Sequence, residues 1–276
     1  MEIRALSDTL RFEADSGLWS VERSARVAYP EDGNAECFEL EDTSFWFRHR
    51  NRCIVSAVAN FPPGGPILDV GGGNGYVARG LIDAGFDTAL LEPGRTGAFN
   101  ARSKRGIKDV ICATVEACNF QPDSVAAVGL FDVLEHIEDD DVFLDRLRRV
   151  LRSGGLLYLT VPAHQSLWSA SDVDAHHFRR YSLPALGARL APVFDLLYAT
   201  YFFQVLLVPI AVARVLPYRL GLARRGASGY AAEHGGAKSG LLARAIASRL
   251  EGEHRTIVAR GRLATGTSCL AVARRR

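Results

Sequence analysis

The sequence predicts an α/β domain with a doubly wound, parallel sheet, and three observations support that class. A buried strand, a glycine-rich turn and an amphipathic helix follow one another over residues 67–82. Further apolar runs alternate with helical patterns up to Val161. The run from Leu156 to Val161 is nearly all apolar, as expected of a strand buried on both faces. The chain of 276 residues is long enough for one such domain with additional segments.

The glycine-rich turn is the most informative motif. The strand before it contains Asp69, and glycines occupy positions 71, 72, 73 and 75. Gly71, Gly73 and Gly75 allow positive φ angles and leave no Cβ in the way of a ligand, and the N–H groups opening the next helix favour an anionic group. The spacing matches neither the dinucleotide fingerprint G-x-G-x-x-G nor a phosphate loop ending in Gly-Lys-Ser/Thr. The turn suits close approach by a ligand, with a purely structural βα turn as the alternative.

A second carboxylate follows at the end of the next apolar strand, where Leu90 and Leu91 precede Glu92. An acidic residue about twenty positions after such a turn can accept hydrogen bonds from the ribose hydroxyls of a nucleoside. This pairing resembles the class I S-adenosylmethionine-dependent methyltransferases, over at least residues 66–162. The resemblance implies that S-adenosyl-L-methionine is the cofactor and that the three glycines cradle its methionine part. It further implies that Asp69 orients the turn and that Glu92 holds the ribose.

The resemblance also implies cofactor contacts after the third and fourth strands. Thr114 stands where the family commonly has an acidic side chain for the adenine amino group, and Val115 would offer its backbone and an apolar wall. Phe131 and Asp132 would lie beside the cofactor. The string Asp-Val-Leu-Glu-His-Ile that starts at Asp132 is similar to one in ubiquinone-biosynthesis-like methyltransferases of small molecules and lipids. By that similarity, His136 lies at the rim of the active site.

A helix with the cluster Phe-Trp-Phe is predicted just before the glycine turn. Such a cluster usually belongs to the core, but aromatic faces also attract the sulfonium cation of the methyl donor by roughly 0.5–2 kcal/mol. Trp46 is therefore a secondary cofactor candidate. Arg48, with Arg50 and Arg52 as alternatives, could meet the donor's carboxylate. Similar segments precede the glycine motif in a bacterial subgroup that the chain resembles, which favours a helix that covers the cofactor.

The loop after the fifth strand, residues 163–182, is polar, rich in aromatic residues and too long for an idle connection. No single helical or turn spacing brings three of its histidines and aspartates together, so the sequence predicts no metal site. The resemblance extends through this loop and implies that it closes over the acceptor. His136 and His177 are the leading catalytic candidates, which would take a proton from the acceptor or orient it. Arg179 and Arg180 would pair with an anionic acceptor or with the acidic N-terminal half.

The C-terminal part is predicted to supply the last two strands, with an insertion at about residues 204–263 between them. The resemblance implies a Rossmann-like sheet of seven strands in the order 3-2-1-4-5-7-6, the last strand being antiparallel. The apolar run over residues 202–215 falls short of the roughly 20 residues that span a bilayer, which favours a buried or interfacial helix. Residues 1–64 would form an N-terminal helical cover, and residues 65–276 the cofactor-binding domain.

The charge of the chain is unevenly distributed. Residues 176–276 hold 16 Lys and Arg but only 4 Asp and Glu. A solvated basic face, an anionic acceptor and an anionic membrane surface are the open explanations. No nucleic-acid-binding module is recognisable, so nucleic acid is not expected as a partner. Five scattered cysteines without C-x-x-C spacing, and an N terminus without the apolar core of a signal peptide, favour a reducing, cytoplasmic compartment.

The combined prediction is S-adenosylmethionine-dependent methyl transfer to a small-molecule, sugar or lipid-linked acceptor. For an in-line displacement, the protein must mainly hold two reactants about 3–3.5 Å apart and aligned. The alternative enzyme is an NAD(P)-dependent oxidoreductase, which the glycine spacing disfavours. The alternative from another class is a non-catalytic scaffold that binds the cofactor or a membrane.

Overall fold

The computed structural model describes residues 1–22, 38–222 and 240–276. Its strands are β1 (Arg11–Glu13), β2 (Leu18–Ser20), β3 (Ile67–Val70), β4 (Thr88–Leu91), β5 (Val110–Cys112), β6 (Val125–Phe131), β7 (Leu151–Pro162), β8 (Phe194–Phe202) and β9 (Ser268–Arg275). Its α-helices are α1 (Ile3–Leu6), α2 (Phe45–Asn60), α3 (Tyr76–Asp83), α4 (Arg95–Ser103), α5 (Val115–Cys118), α6 (Asp140–Val150), α7 (Ala170–Asp174), α8 (Leu183–Leu190), α9 (Leu207–Ile210), α10 (Leu216–Arg219) and α11 (Leu241–Val258). Residues 38–43 are also helical.

The described residues form one nine-stranded sheet in the order β1-β2-β5-β4-β3-β6-β7-β9-β8. Neighbouring strands from β2 to β7 are parallel, whereas β9 is antiparallel to both β7 and β8. The chain order reverses at β3, between β4 and β6. Open α/β sheets bind ligands beyond the carboxyl ends of their strands at such a switch point. The sheet confirms the α/β class and the antiparallel last strand between β7 and β8.

The prediction of seven strands is wrong, because an N-terminal hairpin extends the sheet. β2 pairs in parallel with β5, and β1 is antiparallel to β2 at the edge. The complete order therefore differs from the predicted one, although the seven strands from β3 onward keep the relative order that the resemblance implied. Each hairpin strand is only three residues long, too short to show an alternating pattern. Leu18 is fully buried, and the Trp19 ring lies 5.2 Å from that of Phe12.

The N-terminal segment therefore contains strands as well as helices, which corrects the helical cover predicted for residues 1–64. Its long helix, α2, begins at Phe45 and is capped by Ser44, whose side chain accepts a hydrogen bond from the Trp46 N–H at 3.2 Å. The inner face of α2 includes the fully buried Ile54. Residues 23–37 of the predicted cover lie outside the described residues. The domain boundary near residue 64 stays a prediction.

Helices pack on both faces of the sheet. On one face, Ile54 of α2 and Leu81 of α3 share a core cluster with Ile67 of β3. On the other face, Phe143 of α6 belongs to a second cluster with Leu68. Successive residues of a strand point to opposite faces, so Ile67 and Leu68 enter different clusters. This arrangement confirms the prediction of a doubly wound sheet.

The connection between β8 and β9 covers residues 203–267 and includes α11, which packs against α2. His49 Nε2 and Glu253 Oε1 are 2.6 Å apart at this contact, and the Asn60 amide donates a hydrogen bond to the Ile257 carbonyl at 2.8 Å. After β8 the chain forms short 3-10, α- and π-helical turns between Gln204 and Arg219. In the ranges that the structure describes, no helix is both long and apolar enough to cross a bilayer.

Candidate cofactor and acceptor site

The glycine turn connects β3 to α3 at the switch point of the sheet. Gly71, Gly73 and Gly75 have φ angles of +70°, +54° and +82°, which confirms the predicted backbone conformation. A Cβ on Gly71 would lie 2.7 Å from Val133 Cγ2, and one on Gly75 would lie 2.5 Å from Ile107 Cδ1. Backbone conformation and close neighbours therefore both exclude side chains at these two positions. The N–H groups of Gly71 and Gly75 donate to the Leu91 and Gly72 carbonyls at 2.7 and 2.9 Å, so the turn offers a ligand close approach to its glycine backbone rather than free N–H groups.

Glu92 directly follows β4 and points into the glycine turn. One carboxylate oxygen accepts a hydrogen bond from the Gly73 N–H at 2.9 Å, and the other accepts one from the Gly94 N–H at 2.6 Å. The residue is 7% exposed, and burial raises its pKa to about 7 although both hydrogen bonds favour the ionised form. The carboxylate is thus fixed between two backbone turns at the sheet edge.

Asp69 lies beneath the same turn and is completely buried. Burial raises its pKa to about 7, with an opposing effect from Arg50 and a reinforcing one from Glu92. A Cβ on Gly72 would lie 2.7 Å from Asp69 Oδ2, so the carboxylate supports the turn by direct contact.

Of the arginines on α2, Arg50 is buried, at 7% exposure, and lies at the switch point. Arg48 is exposed. Arg50 Nε lies 2.6 Å from Asp132 Oδ2, and its guanidinium lies 5.5 Å from the ring centre of Trp46. Trp46 stacks on Phe203, with ring centres 5.4 Å apart. Trp46 and Arg50 are four residues apart and so share one helix face. That spacing is the sequence signal that would have favoured Arg50 over Arg48.

Asp132 is held in an uncommon backbone conformation at the end of β6, with φ at +57°. Its N–H donates to the Thr160 carbonyl at 2.9 Å, and its side chain accepts a hydrogen bond from the Thr160 hydroxyl at 3.0 Å. These bonds to β7 fix the carboxylate that pairs with Arg50. Phe131, directly before it, is 6% exposed and belongs to the core cluster under α2.

The predicted adenine contacts lie at the carboxyl end of β5. The Thr114 hydroxyl accepts a hydrogen bond from the Ala117 N–H at 3.2 Å and so caps α5. Val115 is 5% exposed, within the core cluster. Glu116 is exposed and pairs with Arg146 at 3.1 Å, away from the sheet edge. The Thr114 hydroxyl therefore accepts its hydrogen bond from the helix that it caps.

Asn74 is a site residue that the sequence analysis did not single out. It is 1% exposed, and its amide donates to Glu41 Oε1 at 3.1 Å while accepting from Asn100 at 2.9 Å. Arg105 donates to the other Glu41 oxygen at 3.0 Å. This chain of polar side chains connects the helical residues 38–43 to the glycine turn. The asparagine among four glycines is the sequence signal that could have identified it.

Two predicted catalytic residues, His136 and His177, come together although 40 positions separate them in the chain. Their ring centres are 4.7 Å apart. His177 Nδ1 lies 2.9 Å from Asp172 Oδ1, and Asp172 is fully buried. Burial lowers the pKa of His136 to about 4, and the neighbouring His177 adds to that effect. Glu135, adjacent in sequence, is 1% exposed.

The two arginines of the loop form ion pairs inside the protein. Arg179 Nη1 lies 2.8 Å from Asp140 Oδ1, and Arg180 Nε lies 2.6 Å from Asp172 Oδ1. Of the two explanations for these residues, pairing with carboxylates of the chain is therefore the one that the structure supports. They hold the loop against α6 and α7.

Comparison with known proteins bears on this site. A family model described as a methyltransferase domain matches residues 43–196, more than half of the chain. The chain belongs to this methyltransferase domain family. A curated relative of the domain, a "Probable S-adenosylmethionine-dependent methyltransferase" of Mycolicibacterium smegmatis, is 25% identical over 158 residues. That match covers 57% of this chain and 61% of the relative, so the chain spans about three-fifths of the relative's length.

Solved structures similar to this methyltransferase domain share its Rossmann-like fold. The complex between the Haloferax volcanii Trm112 methyltransferase activator and a methyltransferase matches with a TM-score of 0.56 and 17% identity, over 89% of this chain and 95% of that one. Phosphoethanolamine N-methyltransferase 2 of Haemonchus contortus, in complex with S-adenosyl-L-methionine, matches with a TM-score of 0.54 and 16% identity, over 91% and 58%.

Proposed function

We propose that the protein transfers a methyl group from S-adenosyl-L-methionine to a small-molecule acceptor that binds beside the histidines after β6. The observation that carries the proposal is the Glu92 carboxylate, which Gly73 and Gly94 hold against a turn that has no side chains to block a ligand. This pair lies at the switch point, where open α/β sheets bind ligands. The wider family of ubiquinone-biosynthesis-like enzymes stays part of this proposal, on the strength of the string that begins at Asp132.

The residues present fit the cofactor. Gly71, Gly73 and Gly75 would cradle its methionine part, with Asp69 supporting the turn through its contact with the backbone of Gly72. Glu92 would accept hydrogen bonds from the ribose hydroxyls, since each carboxylate oxygen has lone pairs beyond the one used by the backbone. When bound, the cofactor supplies an electrophilic methyl group on a sulfonium.

The remaining cofactor contacts are proposed from residues of α2 and from the carboxyl ends of β5 and β6. Arg50, which the structure favours over Arg48, would meet the carboxylate of the methionine part. Trp46, held by its stack on Phe203, would present an aromatic face to the sulfonium cation. Thr114, Val115, Phe131 and Asp132 would line the adenine and ribose side, as the resemblance implies.

His136 and His177 are the residues proposed to contact the acceptor. The hydrogen bond between His177 and the buried Asp172 fixes the orientation of that ring. Arg180 and the backbone N–H of Ser169 fix Asp172 in turn. An acceptor held by two oriented rings beside the cofactor would satisfy the need for alignment in a displacement reaction.

A lipid-linked acceptor is supported by an apolar stripe on the segment after β8. Apolar side chains recur there every four residues and are all more than half exposed: Val208 at 72%, Val212 at 60%, Leu216 at 51% and Leu220 at 61%. Arg219 donates a hydrogen bond to the Ser166 carbonyl in the acceptor loop, so this stripe lies next to the site. With the excess of basic residues after position 175, the stripe suits the surface of an anionic membrane.

Vesicle flotation tests the membrane contact. The protein is expected to float with vesicles of phosphatidylcholine and phosphatidylglycerol but not with phosphatidylcholine alone, because both the apolar stripe and the basic charge contribute. The double variant Val208→Glu/Val212→Glu should stay in the soluble fraction. The matched control is Val258→Glu, at a residue of α11 that is 49% exposed outside the stripe. Equal flotation of both variants would exclude the stripe as the contact.

Methyl transfer itself is tested with labelled S-adenosyl-L-methionine and fractionated lipid and metabolite extracts. Label should appear in one acceptor fraction with the wild-type protein and should be lost with Glu92→Ala. A parallel titration with NADH addresses the oxidoreductase alternative. Saturable binding of NADH without binding of S-adenosylhomocysteine would contradict the proposal. Binding of S-adenosylhomocysteine without label transfer to any fraction would favour the scaffold.

A further inference from the structure

Glu135, His136 and His177 form a compact cluster of potential metal ligands at the acceptor side of the sheet. One ligand atom from each residue lies within 4.8 Å of the ligand atoms of the other two. Ligand atoms bound to a common ion at about 2.1 Å lie about 3 to 4 Å apart, so small side-chain rotations would close the cluster around an ion. Spacings within the loop predict no metal site, because this cluster joins the loop to the segment that follows β6.

An independent observation points to a missing partner at this cluster. Glu135 is 1% exposed, and its Oε2 atom has no hydrogen-bond partner among the described residues. A buried carboxylate oxygen without a partner costs free energy, so such atoms are rare unless an ion, a water molecule or a ligand binds them. The unpartnered oxygen belongs to the residue that the cluster would need as its anionic ligand.

The two histidines are oriented as metal ligands usually are. A metal-binding histidine commonly donates its second ring N–H to a carboxylate or a backbone carbonyl, which fixes the ring and its tautomer. His177 uses Nδ1 for Asp172, at 2.9 Å. His136 has a hydrogen bond with the backbone of Ala175. Each ring therefore has an outer partner, and its other nitrogen would face the cluster. The side chain of His177 is 15% exposed, which gives an ion a route of entry.

A second group of ligand-type residues, His49, Cys53 and Glu253, does not carry the same inference. Its carboxylate is satisfied by the protein, since Glu253 accepts hydrogen bonds from the N–H groups of Phe203 at 2.7 Å and Gln204 at 2.9 Å and also pairs with His49. This second group is a polar contact that joins α2, α11 and the end of β8. It serves as an internal comparison for the first cluster.

We infer that Glu135, His136 and His177 bind a divalent first-row metal ion, with Zn²⁺ as the best match. Two imidazoles and one carboxylate suit Zn²⁺ and its neighbours, whereas Mg²⁺ and Ca²⁺ prefer sets made of oxygen atoms alone. Three protein ligands leave at least one coordination position for an exogenous oxygen, as in catalytic rather than structural zinc sites. Binding of the ion does not depend on the proposed function. The role that follows rests on it: with the ion bound, the ion rather than the two rings holds a hydroxyl oxygen of the acceptor, and the rings act as its ligands.

Titration of the full-length, chelator-treated protein with Co²⁺ tests the site, because Co²⁺ in a site with few ligands has a visible absorption that reports its coordination. One equivalent of Co²⁺ should bind, and one equivalent of Zn²⁺ should displace it. Glu135→Gln and His177→Ala should each weaken binding by more than about tenfold, since even outer partners of metal ligands contribute that much. Circular dichroism of each variant shows whether it folds.

Three controls locate the site. His176→Gln changes the neighbouring exposed histidine, Glu116→Gln changes an exposed carboxylate, and Cys53→Ser changes the second group of ligand-type residues. All three variants should bind Co²⁺ as the wild type does. Loss of binding with Cys53→Ser, or unchanged binding with Glu135→Gln and His177→Ala, would overturn the inference.

Titration with S-adenosylhomocysteine separates this inference from the proposed function. A wild-type protein that binds S-adenosylhomocysteine but neither Co²⁺ nor Zn²⁺ would contradict the metal site and leave the proposed function standing. A protein that binds the metal at Glu135 but not S-adenosylhomocysteine would support the site and contradict the proposed function. Binding of Mg²⁺ in preference to Zn²⁺ would contradict the assigned class of ion.

Discussion

Glu92 connects the two backbone turns that follow β3 and β4, through hydrogen bonds from Gly73 and Gly94. Its carboxylate is buried, yet its surroundings offer backbone N–H groups rather than a cationic side chain. A buried carboxylate in that position has a raised pKa, and ligand hydroxyls can stabilise its ionised form further. The same burial that makes the residue a good ribose contact therefore makes ligand binding sensitive to pH.

Affinity for S-adenosylhomocysteine should fall as the pH is lowered through about 7, the value to which burial raises the pKa of Glu92. The ribose hydroxyls favour the ionised carboxylate, so below that pH protonation competes with binding, at up to about tenfold per pH unit. Calorimetry at pH 8, 7 and 6 checks this. Glu92→Gln does not titrate and should show a flatter profile; some slope remains because burial also raises the pKa of Asp69 to about 7. Parallel profiles for both proteins would contradict the assignment.

Gly75→Ala should destabilise the protein more than Gly154→Ala does. Both glycines have positive φ angles, +82° and +73°, which cost an L-residue about 1–2 kcal/mol. Only Gly75 has close neighbours, with Ile107 2.5 Å from the position of a Cβ, so crowding adds about 1–3 kcal/mol. The free energies of unfolding in urea measure the difference. Equal losses would mean that the turn relaxes around a methyl group.

Arg50 could not be distinguished from its neighbouring arginines by residue type alone. Three arginines follow one another at alternate positions near the start of α2, and their residue type alone does not distinguish them. The helix phase does, because Trp46 and Arg50 share a face while Arg48 points to solvent. Asn74 was missed for a different reason: its partners Glu41 and Asn100 come from other elements.

At the scale of elements, α11 holds the N-terminal helix α2 against the sheet through one buried polar contact. Glu253 accepts hydrogen bonds from Phe203 and Gln204 at the end of β8 and pairs with His49 of α2. Trp46 and Arg50 lie on that same helix, so the contact also positions the predicted cofactor ligands. A long-range contact of this kind has no signature in the local sequence.

Glu253→Ala should destabilise the protein by about 3–5 kcal/mol, because it leaves His49 and two backbone N–H groups buried without their partner. Glu251→Ala, two residues away on α11, removes an exposed carboxylate that pairs with Arg52, and should leave the free energy of unfolding unchanged. Urea denaturation of both variants makes the comparison. Similar stabilities would show that the buried contact contributes nothing to the docking of α11.

The Glu135, His136 and His177 cluster illustrates how elements combine into a site. The family resemblance implied His136 through the string after β6 and His177 through the loop after β7. Their meeting depends on how the loop folds back over the sheet edge, where the Phe178 N–H donates to the Glu135 carbonyl at 2.8 Å. Spacing within one segment could not reveal a cluster that two segments build.

At the scale of the whole molecule, the seven strands from β3 onward could be predicted because each contains an apolar run, fully buried in β3 to β6 and partly buried in β8. The hairpin of β1 and β2 could not, since its three-residue strands give no period and depend on β5 for pairing. The antiparallel position of β9 was implied by the family resemblance alone. The nine-residue edge strand β8 carries its own signal, whereas the three-residue strands β1 and β2 depend on their neighbours.

The apolar stripe that starts at Val208 lies within the basic C-terminal part of the chain. Several of its arginines are used inside the protein, such as Arg275 with Asp123 and Arg276 with Asp195 at 2.8 Å. Part of the charge asymmetry therefore stabilises the last strand. The comparison of vesicles with and without phosphatidylglycerol tests whether the remaining charge contacts an anionic membrane.

The central claim is that Glu92 and the glycine turn bind the adenosyl part of S-adenosyl-L-methionine. Calorimetric titration with S-adenosylhomocysteine measures this directly in the wild type, in Glu92→Ala and in Glu116→Ala, which removes an exposed carboxylate paired with Arg146. A lost hydrogen bond to a charged group costs about 1.5–3 kcal/mol, so Glu92→Ala should bind at least about tenfold more weakly. Glu116→Ala should bind like the wild type. Equal affinities for wild type and Glu92→Ala would contradict the account.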